Sequence, residues 1–175
     1  MNLIPGSPLW LIALLFAALA AAAIEDFVRL KISNITCVVV LVGALVAMVL
    51  HGFSIDLWQN AVIFVVLLAA GTPLFSAGKM GGGDVKLLAC TGLWVNISAA
   101  IWLLATTFLA GGVLALIYIA VRYWRMGRSG GIYKSKGIPY GIAIAAGASL
   151  VFAGQAGLLK SQPEKVNPLA VPINL

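Results

Sequence analysis

The chain has 175 residues, of which 62% are hydrophobic and only 9% charged, with 11 Lys and Arg against 5 Asp and Glu, a formal net charge of +6 and a mean hydropathy of +1.09. Soluble domains carry about 25% charged residues, so this chain cannot cover a water-facing surface. It reads as all-α: a single polytopic membrane domain over residues 1–160, then an irregular tail over 161–175 that holds three prolines.

Six apolar segments follow one another, at 8–25, 35–51, 57–75, 84–96, 98–121 and 139–158. Most match the about 20 helical residues that cross a hydrocarbon core. The first has a small-residue run, Ala21, Ala22 and Ala23, that mimics a signal-peptide cleavage site. Nothing basic precedes it except the amino terminus, whereas Arg29 and Lys31 follow, an order that favours a retained helix ending in the cytoplasm. Asn34 is the expected N-cap of the second helix and His51-Gly52 its end, and Asp56 is expected to cap the third. The fourth segment is short, and must borrow from the glycines before it, tilt, or sit in a thinned membrane. Asn96 and Ser98 mark a tight turn into the fifth, and Ser129-Gly130-Gly131 breaks the loop after it. In the sixth, Gly137, Gly141, Ala145 and Ser149 recur every fourth residue, a spacing that lets helices approach closely and is read as packing, not chemistry. Cys37 and Cys90 lie in separate segments with no CxxC spacing, and read as small buried side chains.

The basic residues orient these segments. With the N-terminus outside and six spans, Arg29, Lys31, Lys79, Lys86, Arg122, Arg125, Arg128, Lys134 and Lys136 fall inside, and only Lys160 and Lys165 outside. That is the asymmetry of a membrane protein whose cytoplasmic loops are basic. Merging the fourth and fifth segments would move the last basic loop outside, so the expectation is about six transmembrane helices with both termini outside. The stretch RYWRMGRSGGIYKSK, Arg122–Lys136, interleaves aromatics with basic residues; beside a span this reads as contact with lipid headgroups, and no nucleic acid is expected.

Of the five acids, Glu164 lies in the tail and Asp56 in an outer loop. Asp26 ends the first span and Asp84 begins the fourth, so parity alone places both at the same side and at similar depth. Ionisable groups at such depth face the bundle interior or water. Two carboxylates held close do not both ionise easily and share a proton. One member then takes a proton from water while the other polarises a scissile carbonyl, which is peptide hydrolysis without metal or cofactor. Gly81, Gly82 and Gly83 lack side chains, so a substrate strand could approach the backbone there, and they permit dihedrals that present Asp84 at a helix start. Alternatives remain at this point: Asp84 as an ordinary cap, and Asp26 paired with Arg29 or Lys31. Glu25 points about 100° away from Asp26 around a helix and reads as a solvated or paired interface residue. His51, the only histidine, reads as a helix-end residue on the far side.

EDFVRLKISN, Glu25–Asn34, resembles the first aspartate motif of the type IV prepilin peptidases, in which an acid ends the first helix and an Ile-Pro-Asn triplet follows. GGGDVKLLA, Gly81–Ala89, resembles their GxGD motif with its following lysine, and GIPYGIAI, Gly137–Ile144, the Pro-Tyr-Gly stretch that opens the last helix. The three occur in family order. The resemblance implies an aspartic endopeptidase of the bacterial inner membrane that cuts the basic leader from prepilins or pseudopilins on the cytoplasmic side, after a glycine. It implies Asp26 and Asp84 as the catalytic pair, with Gly81, Gly82, Gly83, Lys86 and Asn34 as supporting positions. Ser33 departs from the pattern, standing where the family has proline. Larger members carry an N-terminal domain with cysteine pairs linked to N-methylation; such pairs are missing here, so methyl transfer is not expected, and the chain is similar to the small peptidases of tight-adherence (Flp-type) pilus systems. Presenilin-type proteases share GxGD but have tyrosine before the first aspartate, where this chain has Glu25. Two other classes use the same features. A small proton-linked transporter would employ the carboxylates as a relay, against which stands the scarcity of polar residues at span midplanes. A non-catalytic assembly factor would pack through its small-residue faces.

Overall fold

The computed structural model describes residues 1–52, 54–129 and 140–157, and within 122–129 the side chains of 123 and 124 only. The tail at 161–175, the glycine break at 130–131 and Gly137 of the small-residue stripe lie outside the described residues. Six helices follow in order: α1 (Leu9–Arg29), α2 (Asn34–His51), α3 (Leu57–Ser76), α4 (Gly82–Gly92), α5 (Ile97–Ser129) and α6 (Tyr140–Gln155). No strand occurs among the described residues.

The helix ends have identifiable causes. Leu30 terminates α1 in the left-handed region, at φ 52°, with its N–H donating to the Asp26 carbonyl at 2.9 Å. The N-cap of α2 is Ser33, not Asn34: Ser33 is extended and its Oγ accepts from the Ile35 N–H at 3.0 Å, which makes Asn34 the first helical residue. Gly52 ends α2 at φ 79°. Asp56 precedes α3 in helical dihedrals and its side chain makes no cap bond; its carbonyl instead accepts from the Met1 amino group at 3.1 Å. Asn96 Oδ1 accepts from the Ala99 N–H at 3.0 Å and starts α5.

α4 lies between α2, α3 and α6, while α5 packs along α6 and α1 packs on α2 and α6. Four helical stretches, Leu9–Arg29, Asn34–His51, Leu57–Ser76 and Ile97–Val121, are long and apolar enough to cross a membrane. Their outward faces carry large apolar side chains, among them Phe27, Val65, Phe108, Leu109 and Leu116, each exposed. Apolar surface on this scale is stable against lipid, not water. The protein is an all-α polytopic membrane protein.

With 11 residues, α4 rises only about 16 Å of a hydrocarbon core of about 30 Å. It takes Gly82 and Gly83 into its first turn, and the chain's first residues cover its far end. The Leu3 N–H donates to the Trp94 carbonyl at 3.0 Å, and buried Trp94 donates from Nε1 to the Val40 carbonyl at 3.2 Å. Fully buried Asn60 donates to the carbonyls of Met1 (2.9 Å) and Leu93 (2.8 Å) and accepts from the Met1 amino group at 3.0 Å. His51 closes the same end, with Nε2 at 3.1 Å from the Leu3 carbonyl oxygen.

Close helix crossings sit at glycines. Gly71 packs against Val85, and Gly92 against Ile63 and Leu67. Gly147, which lies off the stripe of every fourth residue read from the sequence, brings α6 close against the backbone of α5. A Cβ at Gly147 would stand 2.6 Å from the Thr107 nitrogen and 2.8 Å from its Cα, whereas one at Gly111 would have only the Ala143 Cβ at 3.6 Å. Backbone cannot yield as a side-chain tip can. Gly147→Ala is therefore expected to destabilise by about 1–3 kcal/mol. Gly111→Ala is expected to be neutral or stabilising by up to about 1 kcal/mol. Thermal unfolding in detergent compares the two.

Candidate active site

α1 delivers two adjacent acids to one end of the bundle in its last turn. The reversal at Leu30 then brings the chain back so that α2 begins beside them. Half-buried Glu25 uses Oε2 to accept from the Ser33 N–H at 2.8 Å and from Thr36 Oγ1 at 3.0 Å. Through these two bonds it fixes the α1–α2 turn and the start of α2. A proline at 33 would have no N–H for Glu25, so the serine and the glutamate belong together.

Asp26, on the next side of α1, is buried. Its Oδ2 accepts from the Gly141 N–H at 2.6 Å and the Ile142 N–H at 3.3 Å, both in the first turn of α6. Arg29 and Lys31 are not its partners among the described residues. Asp84, also buried, is the third residue of α4, and its Oδ2 accepts from the Gly81 N–H at 3.2 Å. The expected cap is thus present but occupies one oxygen only. Asp84 Oδ1 is buried with no hydrogen-bond partner among the described residues. Asp26 and Asp84 stand on either side of Ile32, which packs against Gly83 next to Asp84 and against Gly141, the donor to Asp26.

Ile32 links the two acids sterically. A Cβ at Gly83 would meet the Ile32 Cβ and carbonyl oxygen at 3.0 Å, and a Cβ at Gly141 would meet Ile32 Cδ1 at 2.7 Å. The room created by the glycines is used by the chain itself: Phe75 lies over Gly82, and the Asp84 carboxylate folds back over Gly81. None of the three glycines has positive φ, so their service here is close approach, not unusual dihedrals. Lys86 and Asn34 meet each other, Nζ donating to Oδ1 at 3.0 Å on the exposed rim, and so tie α4 to the start of α2. Cys37 Sγ stands 3.7 Å from the Gly83 carbonyl oxygen; Cys37 and Cys90 are both free and buried. Among the described residues no group of three or more His, Cys, Asp or Glu is placed to hold a metal ion.

The site thus gathers Asp26, Asp84, Gly81, Gly83, Asn34 and Lys86 at one end, with Glu25, Ile32 and Gly141 added by the structure. His51 lies at the other end. Residues 13–119, which include both aspartates, match the type IV leader peptidase family. The chain belongs to the type IV leader peptidase family. No curated protein and no solved structure matched it. Membership makes this membrane protein a peptidase of the leader-processing type, with prepilin-type proteins as its general class of substrate.

Glu25 carries the shape of the peptidase's α1–α2 turn. Glu25→Ala removes the acceptor of two hydrogen bonds and is expected to destabilise by about 1–3 kcal/mol, whereas Glu25→Gln keeps an acceptor oxygen and loses less than half of that. Thermal unfolding in detergent again measures both.

Proposed function

We propose that Asp26 and Asp84 are the reacting pair of an aspartic leader peptidase that removes the basic leader from prepilins at the cytoplasmic face of the bacterial inner membrane. The observation that carries this reading is a buried carboxylate oxygen, Asp84 Oδ1, left without a partner at the end of the bundle that also buries Asp26. A buried polar atom normally has its hydrogen bond, so an unpaired one in such company fits a group kept for substrate or water.

In the proposed reaction the pair holds one proton. The ionised member takes a proton from a water molecule as that water attacks the scissile carbonyl, and the protonated member donates to the carbonyl oxygen. Collapse of the tetrahedral intermediate returns a proton to the leaving amine. The polypeptide is cut by addition of one water, and the pair returns to its starting state. The apolar segment of the prepilin lies against the bundle in the membrane, which brings the leader junction to the end where Asp26 and Asp84 reside. Cys37 and Cys90 lie in separate helices and form no CxxC pair, which supports the Flp-type reading.

A proton relay requires polar groups at successive depths. Among the described residues the buried polar side chains are Asp26, Thr36, Asn60, Asp84, Thr91 and Thr107. Only Thr91 and Thr107 carry polarity away from the two ends, which favours the peptidase.

Asp26→Asn and Asp84→Asn are each expected to abolish cleavage of a co-expressed prepilin while leaving membrane insertion intact, scored by N-terminal sequencing of the product. Normal processing by either variant would refute the assignment. Six spans with both termini outside make a second expectation. In a Cys37→Ala, Cys90→Ala background, Lys31→Cys and Lys79→Cys label from the cytoplasmic face of sealed vesicles and Ile55→Cys from the opposite face. Labelling of the two lysine positions from different faces would overturn this topology.

A further inference from the structure

We infer that Gly141 is a positioning residue for the hydrolytic reaction, seating the first turn of α6 directly on the Asp26 carboxylate. The inference rests on the reading of Asp26 and Asp84 as the reacting pair. It departs from the sequence expectation that Gly141 serves helix packing alone.

The geometry is specific. The Gly141 N–H reaches Asp26 Oδ2 at 2.6 Å and the Ile142 N–H reaches the same oxygen at 3.3 Å. These amides belong to the first turn of α6, whose N–H groups have no partner within the helix, so the bonds take nothing from α6 itself. The positive end of the helix adds to the attraction for an anion. Only glycine fits: a Cβ at 141 would stand 2.9 Å from Asp26 Oδ2, 3.0 Å from Asp26 Cβ and 2.7 Å from Ile32 Cδ1. Any larger residue must push α6 away from α1 or turn the carboxylate.

Asp84 is held in the same manner. Its Oδ2 accepts from the Gly81 N–H at 3.2 Å, while Oδ1 is unpartnered. Among the described residues Asp26 Oδ1 likewise has no hydrogen-bond donor; both of its bonds are on Oδ2. Each acid is therefore gripped by main-chain amides through Oδ2 and leaves Oδ1 for water and the scissile carbonyl. Main-chain donors fix the carboxylate planes without side-chain rotamer freedom. Alignment of this kind governs the chemical step more than substrate affinity, since a misplacement near 1 Å can cost about 100-fold in rate.

The test uses the full chain, purified in detergent, with a prepilin substrate whose cleavage is followed over time. Gly141→Ala keeps the N–H but adds the obstructing Cβ. It is expected to lower kcat by about 10- to 100-fold and leave KM within about twofold. Ile142→Pro deletes the longer of the two donors in the first helical turn, where a missing N–H is tolerated, and is expected to lower kcat by a smaller factor. Thermal unfolding of both variants shows whether the fold persists. A Gly141→Ala enzyme with wild-type kcat overturns the inference, as does a loss confined to KM. If Gly141→Ala fails to fold, Ile142→Pro decides: a reduced kcat at unchanged KM supports the inference, and an unchanged kcat overturns it. Asp26→Asn run alongside separates the two levels. If it is inactive while Gly141→Ala and Ile142→Pro retain full kcat, only the positioning role falls; if it is active, the reacting pair falls and this role with it.

Discussion

A carboxylate that leaves water for a lipid-wrapped bundle needs hydrogen-bond donors from the protein, and here helix starts supply them. Glu25 and Asp26 stand in the last turn of α1, where the negative end of their own helix opposes them. The starts of α2 and α6 answer that field. Glu25 accepts from Ser33 and Thr36 at the entry of α2, and Asp26 from Gly141 and Ile142 at the entry of α6. Asp84 needs no second helix, because it stands in the first turn of α4 and accepts from Gly81. The even-numbered helices begin at the end where the acids stand, so their unpaired amides collect where negative charge must be buried. The order of the chain through the bundle thus produces an anion-tolerant end, without a single lysine or arginine paired to these acids among the described residues.

The same end is packed through backbone, not bulk. Ile32 fills the space that Gly83 on α4 and Gly141 on α6 leave open, so that α4 and α6 both pack on the α1–α2 turn. Its position depends on Leu30, whose left-handed conformation turns the chain within one residue of α1. A non-glycine residue in that region costs about 1–2 kcal/mol. Bonds from Glu25 across the turn are of the right size to offset it. Asn34 and Lys86 add a tie between α2 and α4 on the exposed rim, where solvent screens it and its contribution is small.

Parity along the chain was enough to put Asp26 and Asp84 at one end, because alternation of spans is a consequence of connectivity and needs no side-chain detail. The extents of α2 and α3 were also legible, since an apolar run and a helix end together where a cap or a glycine intervenes, whereas α1 runs on to Arg29 past the apolar segment that ends at 25, and α4 covers 82–92 and not 84–96. α5 shows the limit of that logic. Its apolar run stops at Val121, but the helix continues to Ser129, because hydropathy marks where lipid contact ends and not where i to i−4 hydrogen bonding ends. The cap at Ser33 was missed in favour of Asn34, as both residues have capping side chains and only the dihedrals distinguish them. The role of Glu25 depends on the Leu30 reversal. Gly141 and Asp26 are 115 residues apart, beyond any local spacing rule; the sole trace in the sequence was a glycine near the start of the sixth apolar segment.

The two ends of the bundle differ in how they treat polarity, and the difference bears on access. At the far end Asn60, His51, Trp94 and the first residues of the chain bond to one another and cover the end of α4. At the near end Asp84 Oδ1 is left open. Three other buried oxygens lack partners among the described residues, on Asn2, Thr107 and Gln155, but these are neutral groups, for which the cost is smaller than for a carboxylate. Main-chain donors reach Glu25, Asp26 and one oxygen of Asp84, and among the described residues none reaches the remaining oxygen. Under the proposed mechanism that unmade bond is the one that water and the scissile carbonyl supply, at the end opposite the one covered by Asn60, His51 and Trp94. The short α4 serves the same arrangement: it needs to reach only from Asp84 to the plug formed by Trp94 and Leu3.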